Sequence, residues 1–267
     1  MKTLLRLSIA AIFAALVGCA TPQVPVPLDQ GFYTADNKTV GLMLEAPKTP
    51  GLALEGNIGL LDYAIIAAAT SSLSSHIESQ DLGEFLAVAE ELSQSLENEG
   101  FQVVRLEVPA KAPKLAKFKD PDGKDTTYFA AKDHRTLAAE YQVDYLLKLT
   151  ATSAGLARPY YGFIPTDAPR AVFNVHGEMI DMSSNQLLWY ANINHAGYAT
   201  GEWDEGPNFP GLTNTYYVVM NKARQDVVNA LAKRDTSVIA LNGDDDSAAA
   251  ASAGAPAAAE QQETQQQ

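Results

Sequence analysis

Four histidines, His76, His134, His176 and His195, and a scatter of acidic residues are the side chains from which this 267-residue chain would have to build an active site. His176 and His195 flank a stretch that reads as a β-hairpin, so a suitable register would set them near each other, with Glu178 as the obvious third donor for a metal. Polar residues on a solvent-facing sheet surface account for the same letters, and we expect no metal. Asp120, Asp122 and Asp125 around Gly123 suggest a calcium loop, but the twelve-residue spacing with its closing Glu is missing, which leaves a Pro-Asp-Gly turn. Glu178, Glu202, Asp204 and Glu205 are the first carboxylates to check for glycoside hydrolysis, since such a pair meets only in space. There is no His-Glu-x-x-His, no Gly-x-Ser-x-Gly, no Ser-x-x-Lys, no phosphate-binding Gly-x4-Gly-Lys and no dinucleotide fingerprint. Gly51, Gly56 and Gly59 lack the accompanying lysine and read as a flexible loop. The expectation is a protein that is not an enzyme and carries no cofactor.

The one cysteine has a different chemistry in view. Residues 1–18 hold Lys2 and Arg6, then an uncharged apolar stretch from residue 7 to 17, too short for a comfortable membrane span and laid out like a secretory signal peptide. Leu16-Val17-Gly18-Cys19 resembles the lipobox of bacterial lipoproteins. That resemblance implies cleavage before Cys19, a diacylglyceryl group on its thiol and an acyl chain on the freed amine. A single acyl chain holds a protein only marginally at a membrane, whereas two or three hold it stably. Ala20 in place of Asp implies, by the same analogy, the outer membrane of a Gram-negative bacterium, with the protein facing the periplasm.

Cleavage would remove Lys2 and Arg6 but no acid, taking the net charge from −13 to −15. Nucleic acid and anionic headgroups repel such a surface. The apolar run at residues 60–73, interrupted by Asp62, is too short to span a bilayer and reads as a buried helix.

The elements that must position any site follow from periodicity. Residues 19–38, with Pro22, Pro25 and Pro27, read as an extended tether reaching on the order of 50 Å at roughly 3.1 Å per residue. A globular α/β domain is expected over residues 39–233, and a disordered acidic Ala/Gln-rich tail over 234–267. Within the domain the spacing predicts strands at 39–44, 101–108 and 143–150 and helices at 60–77, from Asp81 to Gly100, and near 134–141. A hairpin follows, with strands at 171–182 and 187–193 around Ser183-Ser184-Asn185, because Asn tolerates the left-handed backbone of such turns. A helix at 213–233 closes the domain. This order predicts one domain with a mixed sheet and helices packed against it.

Two phrases carry a resemblance. Leu137 to Leu147, with Asp144 before the strand, and Asp181 to Trp189 resemble the helix-to-strand step and the hairpin of a broad group of periplasmic lipoproteins. The group includes the curli-secretion lipoprotein, the lipoprotein activators of penicillin-binding proteins and the N-terminal domain of the Tol-system propeller protein. Ser184-Asn185 replaces their usual Thr-Gly. The resemblance implies the fold; the group has many functions.

Two proline-braced aromatic loops remain: Arg158, Tyr160, Tyr161 and Phe163 before the first hairpin strand, and Trp203 with Phe209 after the second. Antiparallel pairing places both at the sheet edge opposite the turn. Aromatic residues and Arg are the usual anchors of interfaces, although the same residues can cover the end of a core. The expectation is a lipid-anchored envelope lipoprotein acting as a noncatalytic interaction or assembly module with an envelope protein partner. The alternative is a binding module for an envelope glycan or lipid, and a hydrolase comes third.

Overall fold

The computed structural model describes residues 23–35, 37–119 and 127–234. The signal peptide at 1–18, Cys19 and its lipid, Ala20, the turn around Gly123 and the tail beyond Arg234 lie outside the described residues. One compact unit runs to Ala232; of the second, which begins at Lys233, only Lys233 and Arg234 are described.

The longest strand organises the unit. Strand β4 (Tyr145–Tyr161) is flanked on one side by β1 (Thr39–Glu45) and then β2 (Gly51–Asn57), both parallel to it, and on the other by antiparallel β6 (Arg170–Asp181). β1 and β2 thus lie end to end along β4, which carries a register irregularity between Ala151 and Ser153 at the same level. β3 (Gln102–Leu106) extends the sheet beyond β1, β7 (Leu187–Tyr198) extends it beyond β6, and the two-residue β5 (Ile164–Pro165) folds back on the end of β4. The result is the mixed sheet the pattern predicts, in the order β3-β1-β4-β6-β7.

The α-helices among the described residues are α1 (Leu60–Ala69), α2 (Ser71–Glu78), α3 (Gly83–Leu86), α4 (Val88–Asn98), α5 (Ala138–Tyr141) and α6 (Pro210–Ala230). Of these α2, α3, α4 and α6 cover one face of the sheet, while α5 packs with Val143, Leu146 and Met182 on the other. Tyr216, Val219, Met220, Ala223 and Val227 recur on α6 at spacings of three and four and are buried, as are Val88, Ala89, Leu92 and Leu96 on α4. They meet Leu42, Leu147, Leu149, Phe173, Val175, Met179 and Trp189 from the sheet in one core. The Trp189 ring lies against Gly177, where an added Cβ would stand 2.2 Å from it. The other face is polar where Lys148, Glu178 and Tyr190 align, and Thr150, His176 and Asn192 beside them.

Three expectations change. The tether does not run to residue 38: Val26 exchanges both backbone hydrogen bonds with Tyr190 at 2.9 Å, Leu28, Phe32 and Tyr33 are buried, and Phe32 stacks on Phe101 at 4.6 Å. Three large apolar side chains in that segment outweigh its prolines, since their burial favours docking by roughly 1.5–3 kcal/mol each. Gly51 and Gly56 lie in strand β2 rather than in a flexible loop, and Gly59 caps α1. Arg158, Tyr160 and Tyr161 end a strand rather than occupying a loop.

At the hairpin turn Asn185 is left-handed, with φ 68°, as its residue type implies. Its side chain does more. Fully buried, it donates to the carbonyls of Ala130 and Lys132 (2.9 and 3.1 Å) and accepts from the His134 amide (2.8 Å), fixing the segment before α5 to the turn.

Candidate interaction surface

The side chains expected to form one aromatic patch divide into two groups. Tyr160 points inward and is buried. The Arg158 guanidinium lies 5.7 Å from the Tyr160 ring centre and 4.6 Å from that of Trp203, and Trp203 runs parallel to Phe209 at 6.5 Å. Trp203 and Phe209 are half-buried and pack against the main core. His76 closes the group, with Nε2 2.7 Å from the Thr213 hydroxyl and its ring 5.4 Å from Phe209. Arg158, Tyr160, Trp203 and Phe209 therefore cap the end of the core.

Tyr161 and Phe163 go the other way. Alternation along β4 turns Tyr161 outward, where it is 71% exposed, and the turn at Gly162 (φ 59°) presents Phe163 and Ile164 beside it. Gly162 donates to the Asn57 carbonyl at 3.0 Å, joining this hairpin to the end of β2, and a Cβ at Gly162 would lie 3.7 Å from the Asp62 carboxylate. The start of α1 is thus fixed next to the hairpin, with Asp62 accepting from the Gly59 amide at 3.0 Å.

That neighbour is the main surprise. Helix α1 was expected to be buried, yet only Ile66 within it is. Leu60 is 91% and Leu61 75% exposed, and Tyr63 and Ile65 face solvent with them. The side of the sheet that would have covered α1 is occupied by α2, α3, α4 and α6, so α1 serves as the connection from β2 into α2. Its single charge, Asp62, is spent at its own N-terminus, and no polar face exists to turn outward. Seven large apolar side chains, on α1 and the β4–β5 hairpin, form one contiguous end, and monomeric proteins rarely leave such a patch uncovered. Sequence reasoning named Tyr161 and Phe163 but missed Leu60, Leu61, Tyr63, Ile65 and Ile164; the lack of a polar stripe in residues 60–69 was the available signal. The helix is about 15 Å long at 1.5 Å per residue, half a bilayer core, and no described helix is long and apolar enough to cross a membrane.

The side chains considered for chemistry are distributed over the molecule. His176 aligns with Asn192 and His195 with Phe173, which puts the two histidines on opposite faces of the sheet. His176 Nδ1 lies 2.9 Å from Asn192 Oδ1, and His195 Nε2 2.7 Å from Asp226 Oδ2 on α6. Among the described residues, no three His, Cys, Asp or Glu side chains gather as a metal site would require. Glu178 lies 3.8 Å from Lys148, while Asp204 and Glu205 border a shallow hollow with His76 and Phe209, so the four carboxylates do not share one cleft.

No family model matches this chain, and no curated protein does. Among solved structures it is similar to a hypothetical protein of Chlamydia trachomatis, with 10% identity over 73% of this chain and 95% of that one and a TM-score of 0.33. A DUF330 protein of Xanthomonas campestris gives 10% identity, 85% and 92% coverage and a TM-score of 0.34. The lipoprotein GNA1162 of Neisseria meningitidis gives 12%, 72% and 99%, and 0.25.

Proposed function

We propose that this protein is a lipid-anchored lipoprotein of the outer membrane, facing the periplasm, and that its domain is a noncatalytic module that docks an envelope protein on the apolar end built by α1 and the β4–β5 hairpin. The observation that carries the reading is the exposure of Leu60, Leu61 and Tyr161 on two segments that approach each other at Asp62 and Gly162. Burying a leucine against a partner is favourable by roughly 1.5–3 kcal/mol, so this end gains more from association than any polar surface of the molecule.

The place where the described chain enters the fold supports a protein partner at the apolar end. The described chain enters at Gln23, which donates to the Thr127 carbonyl, and is paired at Val26 with Tyr190. Through Glu178, Tyr190 is level with Lys148, thirteen residues before Tyr161 on β4. That is about 43 Å at roughly 3.3 Å per residue. The described chain thus enters the sheet at the end far from Tyr161, which leaves the apolar end open to a partner protein.

Photo-crosslinking in the native cell tests this, with a benzophenone amino acid at Leu61, at Tyr161 and at Trp203 in separate strains. A discrete protein adduct at Leu61 and Tyr161 but not at Trp203 is the expected result. Adducts with lipid alone at Leu61 and Tyr161 would overturn the protein-docking reading, as would labelling at neither while another exposed position labels normally.

A further inference from the structure

On the polar side of the sheet, away from the apolar end, the loop that follows β3 stands off the sheet and encloses a cavity of about 630 Å³. This size falls within the range of roughly 300–1,000 Å³ typical of small-molecule sites. Its walls come from three elements. Met43 and Leu146 supply the sheet floor, Leu137 and Tyr141 come from the α5 region, and Val108 and Leu115 come from the loop, which Pro109 and Pro113 stiffen. The lining is largely aliphatic, with Tyr141 its one carbocyclic aromatic ring among the described residues.

The mouth has the opposite character. Lys114, Lys132, Lys148 and His134 border the cavity, against one acid, Glu45. Lys148 is shared with Glu178 at 3.8 Å, but among the described residues Lys114 and Lys132 have no carboxylate partner. In a chain of net charge −13 this is a local inversion of sign. Burial, with the nearby Lys148, pushes the His134 imidazole below its ordinary range despite Glu178, so near neutral pH the cationic charge at the mouth comes from the lysines.

We infer that this cavity binds a single-chain anionic amphiphile: an acyl tail along Met43, Leu137 and Leu146, with a carboxylate or phosphate head between Lys114 and Lys132. An apolar tail removes the cavity wall from water, and the head supplies a counter-charge that the two lysines do not find among the described residues. The site is separate from the docking end and does not depend on it.

The test uses the mature chain with Cys19→Ser, which carries no acyl group of its own, titrated with the fluorescent fatty acid cis-parinaric acid. Saturable binding is expected, displaced by palmitate or by lysophosphatidylglycerol but not by 1-hexadecanol, which has the tail without the charge. Displacement by palmitate alone identifies a free fatty acid, and displacement by both identifies any anionic single-chain lipid. Lys114→Glu with Lys132→Glu, both at exposed positions, should weaken binding by about tenfold or more, and Ala112→Trp at the loop wall should block it. Leu60→Lys with Leu61→Lys should leave it unchanged. Binding lost in that last variant, equal displacement by hexadecanol, or indifference to the lysine reversals would overturn the inference, because the probe would then be reporting the apolar helix or nonspecific partition.

Discussion

Arg158 and Trp203 are stacked, the guanidinium carbon 4.6 Å from the indole centre, and this contact separates the aromatic residues that hold the domain together from those that face outward. A cation over an exposed ring contributes about 0.5–1 kcal/mol and an aromatic pair about 0.5–1.5 kcal/mol. Trp203→Ala removes both, along with part of the core cover. A loss of about 2 kcal/mol is expected, equivalent to about 4–8 °C in a domain of this size. Tyr161→Ala touches a side chain already in solvent and should move the midpoint by less than about 2 °C. Thermal melts of the two variants side by side check the division, and equal losses would contradict it.

Asn185 gives a prediction about a distant segment. Asn185→Gly keeps the left-handed backbone but removes two side-chain donors and the acceptor for the His134 amide. At about 1 kcal/mol for each hydrogen bond, with a surcharge for any buried group left unpaired, the expected loss is about 2–4 kcal/mol in urea unfolding. Amide exchange at His134 should quicken in the variant although the substitution is fifty-one residues away. Normal protection there would show that the segment is held by other means.

Gly177 tests the packing beneath Trp189. A methyl group at that position would meet the indole at 2.2–2.4 Å, and the ring, itself buried between sheet and helix, has no free direction in which to retreat. Gly177→Ala is expected to cost about 1–3 kcal/mol through overpacking, with a visible change in Trp near-UV circular dichroism. The second change, Trp189→Phe, should recover part of the loss.

Asp181 predicts the acid limb of stability. Burial raises its pKa, but hydrogen bonds from the Ser183 hydroxyl and amide and the Ser184 amide outweigh that, so the folded value lies below 3.8. A carboxylate with a depressed folded pKa contributes stability that is present above its unfolded value and lost as pH falls through the folded one. Asp181→Asn should therefore be less stable than the parent at pH 7, with the gap closing below about pH 4. Chemical denaturation at a series of pH values measures this, and a gap that widens in acid would refute the assignment.

The sheet, its hairpin and the helices α4 and α6 were legible because their signals are local: Phe85 to Leu96 and Tyr217 to Leu231 repeat at helical spacing, and Ser183-Ser184-Asn185 announces its turn. The end of β4 was not legible, because Pro159 reads as a strand breaker, and without the strand there is no alternation to place Tyr160 inside and Tyr161 outside. The clamp made by Asn185 was hidden for another reason: its partners lie more than fifty residues away in sequence. The exposure of α1 depended on which helices fill the one covered face, and the composition of α1 alone argues for burial.

The length of β4 has a bearing on how such a protein can change over generations. Its seventeen residues set the separation between the hairpin-turn end of the sheet and the exposed apolar end at Tyr161. A single inserted residue within the paired strands would turn the following side chains of that strand to the wrong face. That separation can therefore be altered only in pairs of residues, steps of about 6.6 Å, made together in β4, β6 and β7. The spacing between the two ends is thus a gauge that a single insertion cannot reset, whereas the composition of the apolar end, free of that register, can drift one side chain at a time.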